Sequence, residues 1–184
     1  PRMYYCTNQV SLYQLNNATT ANKFAVVFQA PASGDITKVV FRTGTVTQCT
    51  NGVSVSIQAI DASGNPDGTP IGTAKTGYAI ASSTTYTVPD TLTATVVKGT
   101  FYAAVIEFTT FATGDSFYLV SQYNEPATIG IPYVDHYTAS AWAKSRYVPF
   151  LGIGYGTTYY GIGTGFWTAN AEVAFNVDTG SYDE

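Results

Sequence analysis

Charge is what this chain has least of. Eight Lys and Arg and twelve Asp and Glu supply 11% of its 184 residues, against about a quarter in an ordinary soluble domain. The basic residues are scattered from Arg2 to Arg146 and the net charge is -4. No basic stripe is available to neutralise a run of phosphates, so a nucleic-acid partner is not expected. Long hydrophobic runs are missing too: the longest, Phe101 to Ile106, falls far short of the roughly 20 residues of a membrane helix. Membrane insertion is not expected. No stretch sustains a helical period of apolar residues, and Ser11 to Lys23 has room for one short helical turn at most. The first residue is Pro1 and no signal sequence is legible, so secretion is not read from this end.

Cysteine and histidine are equally scarce. Cys6 and Cys49 are the only cysteines, too few and too far apart for a zinc site, which wants four ligands in close pairs. Neither a metal nor a cofactor is expected. The two thiols leave two states open. Both are reduced, or they pair across a loop of about 44 residues, a link worth about 4 kcal/mol that would point to oxidising surroundings. His136 is the single histidine, and no nucleophile elbow, H-E-x-x-H pair or phosphate-binding glycine loop accompanies it. A glycosidase needs only two carboxyls about 5 to 10 Å apart. Glu107, Asp115, Glu125, Asp135 and Glu172 are available, and Glu107 interrupts an apolar strand, but nothing in the sequence brings two of them together. The expectation is a protein that is not an enzyme.

What the chain does have is the composition of pleated surfaces, with 15 Tyr, ten Phe and abundant Thr. Val53 to Asp61 alternates strictly, with Val53, Val55, Ile57 and Ala59 on one face and Ser54, Ser56 and Gln58 on the other. Lys23 to Gln29 and Glu172 to Val177 repeat the pattern. In Ile36 to Thr43, Lys38 and Arg42 oppose Val39 and Phe41, with Val40 out of step. Phe101 to Phe108 and Ser116 to Ser121 are apolar on both faces, as central strands are. Shorter candidates lie at 86–88, 92–97, 149–155 and 159–163. Asp61 to Pro70, D-A-S-G-N-P-D-G-T-P, reads as a rigid loop. Ser63, Asn65, Asp67 and Gly68 have a trace of calcium-loop spacing there, interrupted by Pro66. The length suits one domain, 1–184, and the pattern predicts an all-β, two-sheet β-sandwich of about ten strands, jelly-roll-like because its connections are long. An immunoglobulin-type sandwich is the alternative, and its Cys, Trp, Cys order is absent.

Two features point to function. Leu151 to Gly156 alternates Leu151, Ile153 and Tyr155 with three glycines, leaving one face as bare backbone. An aromatic ring of the same chain, such as Trp142 or Tyr147, would cover it, or an external ligand or subunit would. From Tyr133 to Trp167 aromatic residues recur more often than alternating burial requires, so some rings should be exposed, to stack on sugars or to anchor subunit contacts. Tyr133, Tyr137, Trp142, Tyr159 and Trp167 are the candidate ligand or interface residues.

The runs D-A-S-G-N-P-D-G-T-P (61–70), F-Y-A-A-V-I (101–106), G-D-S-F-Y-L (114–119), I-P-Y (131–133), A-W-A-K (141–144) and P-F-L-G-I-G-Y (149–155) together resemble jelly-roll domains of tailed-phage virion proteins, of the fibre and capsid-decoration types. The resemblance spans about half of the chain. It implies a non-catalytic building block on a virion surface or other extracellular appendage, whose partners are copies of itself, other virion proteins and host surface glycans. The G-x-P-x-G-T segment at 64–69 is shared with carbohydrate-binding sandwiches, so the alternative is a carbohydrate-binding module of a secreted glycan-degrading enzyme. Asn17-Ala18-Thr19 is a glycosylation sequon where the chain meets that machinery.

Overall fold

A computed structural model of the chain describes residues 10–16, 22–88, 92–123, 134–138, 141–144, 147–162 and 173–174. Among them there is no helix, and the strands form a β-sandwich. In chain order they are β1 (Val10–Asn16), β2 (Lys23–Gln29), β3 (Gly34–Ile36), β4 (Lys38–Gln48), β5 (Val53–Ile60), β6 (Pro66–Pro70), β7 (Lys75–Tyr78), β8 (Thr85–Val88), β9 (Ala94–Val96), β10 (Phe101–Phe108), β11 (Ser116–Tyr123), β12 (Val134–Thr138), β13 (Ala141–Lys144), β14 (Tyr147–Pro149), β15 (Leu151–Tyr155), β16 (Thr158–Gly161) and β17 (Val173–Ala174). The first sheet runs β1-β11-β4-β15-β16-β17, with β14 added on β11 and β8 on β4. The second runs β13-β12-β2-β10-β5-β6, with β7 added on β5, and β3 pairs β9 apart from both.

The chain passes directly between the two large sheets from β1 to β2, β4 to β5, β7 to β8, β10 to β11, β11 to β12 and β13 to β14. Strand number exceeds the expected ten because several edges are shared. β11 meets β4 over Ser116 to Leu119 and β14 over Ser121 to Tyr123, while β6 and β7 divide the outer edge of β5.

Two expectations change. Val10–Asn16, where a helical turn had room, is a strand paired residue for residue with β11, and Leu15 lies in the core opposite Phe117. Pairing partners decide here, and local propensity is too weak to oppose them. Residues 66–70 of the predicted rigid loop form edge strand β6, where prolines are tolerated because the missing amide would face solvent. Of the strand expected at 172–177 only Val173–Ala174 lies within the described residues, and it pairs in parallel with β16.

The core fills the space between the sheets. Phe41, Phe117, Leu119, Leu151 and Ile153 from the first sheet meet Phe24, Phe28, Val55, Ile57 and Ile106 from the second. Cross-strand partners share a face, and the register of β10 with β2 and β5 keeps these large side chains in line. The opposite face of the second sheet is also buried. Ala25, Val27, Ala103 and Val105 form a separate small cluster beneath Ile60 and Trp142, and Ser56 and Gln58 beside them are closed off from water. The alternation seen in β2 and β5 therefore separates two buried faces.

Gly72 marks a tight approach of two segments. Its φ is +68°, and a Cβ there would sit 2.3 Å from the Thr93 carbonyl oxygen, beside the mutual Thr73–Thr93 backbone hydrogen bonds. Gly64 has a φ of +80° and no atom within 4 Å of the same position. Gly64→Ala should cost about 1 to 2 kcal/mol, the backbone penalty alone, and Gly72→Ala about 3 kcal/mol or more. Urea unfolding midpoints of the two variants check the order, and equal midpoints would contradict it.

Candidate functional site

Of the carboxylates weighed as catalytic groups, Asp115 and Glu107 have described side chains, and both are held by the scaffold. Asp115 is 1% exposed. Its Oδ1 accepts from the Thr50 amide at 3.1 Å and the Thr50 hydroxyl at 2.9 Å, and its Oδ2 accepts from the Ala112 amide at 2.9 Å. Burial pushes this carboxyl up, but hydrogen bonds from Ala112, from Thr50 and from the Gln48 side chain outweigh it and hold the group below its ordinary value. Asp115 thus ties the loop after β10 to the turn after β4. Glu107 pairs with Lys23 at 2.9 Å across β10 and β2, both partly exposed, a contact worth about 1 kcal/mol or less.

Asp61 accepts from the Ser63 and Asn65 amides, and Asp67 from the Thr69 amide, so the calcium-like spacing is a pair of Asx turns. Asp35 accepts from the Thr95 hydroxyl and links β3 to β9. Among the described residues no three His, Cys, Asp or Glu converge on a metal position. Glu125 and Glu172 lie outside the described residues, and Asp135 and His136 are placed on the backbone of β12 only.

Cys49 carries a free thiol, partly buried against the core. Burial pushes it up to about 11, the nearby Asp115 charge adds to this, and a backbone hydrogen bond from Gly52 opposes it. It is a protonated thiol at neutral pH and a poor nucleophile. Cys6, the other half of the disulfide considered from sequence, lies outside the described residues.

The aromatic candidates separate. Tyr133 and Trp167 lie outside the described residues. Tyr137 pairs with Trp142 and with Lys23 on the backbone of β12. Trp142 is partly buried on the Ala25, Val27, Ala103 and Val105 cluster. It sits in the second sheet, whereas the glycine strand β15 belongs to the first.

The ring over Gly154 is Tyr159. It stands directly across from Gly154 in the β15–β16 pair, and a Cβ on Gly154 would lie 3.0 Å from its Cε1 and 3.1 Å from the Lys38 Cβ. Lys38 completes this row from β4, its Nζ 5.6 Å from the Tyr159 ring centroid and donating to the Gly156 carbonyl at 3.0 Å. On the core side of the same hairpin, Tyr155 packs edge-on against Tyr160 at 5.6 Å. At Gly154 the bare face is covered from within, by a ring of the adjoining strand.

Exposed apolar surface sits elsewhere, at the two ends of β10. Val97 is 60% exposed and Phe101 45% exposed at one end, and Phe111 41% exposed beyond the other. The turn between Val97 and Phe101 is fully tied. Tyr102 Oη accepts from the Val97 amide, Ser33 Oγ accepts from the Lys98 amide, Gln29 Nε2 donates to the Gly99 carbonyl, and Gly99 N donates to the Ala30 carbonyl. Sequence reasoning passed over these three because each adjoins an apolar strand and reads as its continuation. The signal available was Lys98-Gly99, a turn that puts its flanks at a sheet end. No family model, curated protein or solved structure matches this chain.

Asp115→Asn should lower stability by about 2 kcal/mol, because an amide nitrogen then faces a backbone donor. The native carboxyl titrates below the ordinary 3.8, so its stabilisation is complete above that pH and disappears as pH falls through the folded value. Unfolding midpoints from pH 7 to pH 2 should therefore converge for wild type and variant at the acid end. A constant gap would refute this role.

Proposed function

We infer that this chain is a non-catalytic structural module of a virion or another extracellular appendage, acting through subunit contacts and glycan adhesion. The observation that carries the reading is where the apolar surface lies. Val97 and Phe101 are exposed on a turn held by backbone and side-chain hydrogen bonds, so their exposure belongs to a rigid tip and not to a loose loop. Rigid exposed apolar groups cost little entropy on docking. The carboxylates support the same reading, since Asp35, Asp61, Asp67, Glu107 and Asp115 lock turns and strands together. The protein invests its few charges in stiffness.

Phe111, at the far end, favours a second reading, a carbohydrate-binding module of a secreted glycan-degrading enzyme. The two differ in assembly. Light scattering at micromolar protein should give a dimer or larger for the appendage module, reduced to a monomer by the double variant Val97→Ser/Phe101→Ser with its unfolding midpoint retained. A wild-type monomer would remove the appendage reading and leave the binding module.

A further inference from the structure

Phe111 lies just past β10 and packs on Phe108 with ring centroids 5.0 Å apart, and Phe108 packs edge-on against Phe117 at the same distance. The exposed ring thus stands on an aromatic column rooted in the core. Two amide side chains grip the backbone on either side of it. Asn51 Nδ2 donates to the Thr110 carbonyl at 3.2 Å, and Gln48 Nε2 donates to the Thr113 carbonyl at 3.3 Å and to Thr50 Oγ1 at 2.9 Å. Both amide residues are exposed, and with each nitrogen engaged, the carbonyl oxygen is the group left for an incoming hydroxyl. Among the described residues the one carboxylate in this cluster, Asp115, is buried and accepts from Thr50 and Ala112.

We propose that this end of the sandwich is a binding site for uncharged saccharides, with Phe111 as the stacking platform and Asn51 and Gln48 as hydroxyl acceptors. A pyranose offers an apolar C–H face to an aromatic ring and a rim of hydroxyl donors to amide oxygens. An anionic ligand would find no cation in this cluster among the described residues, and a purely apolar one would leave the amide rim unused. The base is fixed before a ligand arrives, because Asp115 joins the two loops and the Phe111 ring has a packed neighbour beneath it, so little ordering is lost on binding.

The site deepens the adhesive part of the reading above, and the two fail separately. The probes are cellohexaose, maltohexaose, xylohexaose and mannohexaose, followed by saturation-transfer NMR and by shifts of the Asn51 and Gln48 side-chain amide signals. At least one should bind the wild type and shift both amides. Phe111→Ala should weaken binding about tenfold, equivalent to ~1.4 kcal/mol, Phe111→Trp should preserve it, and Val97→Ser/Phe101→Ser should leave it unchanged. Absence of binding to all four, or binding indifferent to Phe111→Ala, overturns the site whatever the oligomeric state. A monomer with Phe111-dependent binding keeps the site and removes only the appendage reading.

Discussion

A strand that is buried on both faces has no water to satisfy its backbone, so each amide and carbonyl must find a partner on a neighbouring strand. Phe101–Phe108 is in that position, and β2 and β5 supply the partners on its two edges over nearly its whole length. The pairing fixes more than hydrogen bonds. It puts Tyr102, Ala104, Ile106 and Phe108 toward the core between the sheets and Ala103 and Val105 toward the second cluster. A slip by one residue would exchange those sets and drive Phe108 into a space shaped for alanine and valine. The stability of the sandwich and the position of its ends both follow from that register, because Val97, Phe101 and Phe111 are placed by where β10 begins and stops.

The rims are fixed by a different device. Buried or half-buried polar side chains reach across sequence distances to backbone groups that the sheets leave over. Thr43 Oγ1 donates to the Ala81 carbonyl and accepts from the Thr84 amide, holding the turn before β8. Gln58 donates to Ser56 and accepts from the Gly68 amide, pinning β6 to β5 beyond their broken register. Asp115 does the same between Thr50 and Ala112. Each bond is worth about 1 kcal/mol, more where a charge takes part. Their shared effect is to tie the loop ends to the strands by side-chain hydrogen bonds.

The fold was largely readable from sequence because period two survives in most strands: Val53 to Ile60 and Phe101 to Phe108 fall where the alternation and the apolar run set them. β1 was not, since Val10–Asn16 is specified by its pairing with Ser116–Gln122 more than a hundred residues away. Nor was the second buried cluster. Ser56 and Gln58 read as a solvent face, and only the assembled sheet reveals that they hydrogen-bond to each other and to the Gly68 amide under cover. The functional candidates were less legible still. Aromatic density marks where rings are, but exposure is a property of the fold. The density between Tyr133 and Trp167 includes Tyr159 and Trp142, both seated on their own chain, while the most exposed described aromatic rings, Phe101 and Phe111, belong to the central strand and its following loop.

The Gly154–Tyr159 pair shows a ring used inside the sheet. A glycine in the interior of a strand weakens it, and an aromatic ring laid across from the neighbouring strand restores the lost packing. Tyr159 does this for β15, and Lys38 closes the row from the other side with its stem against the same glycine and its ammonium toward the ring and the Gly156 carbonyl. This half-buried ring serves the sheet itself. Moving it onto a ligand would reopen the glycine and strand the lysine, at a cost that a single stacking contact of about 1 kcal/mol would not offset. Phe111 carries no such obligation, for its column lies below it and its outer face is open. The same chemistry, a ring on a rigid support, thus closes the surface at Tyr159 and presents it at Phe111.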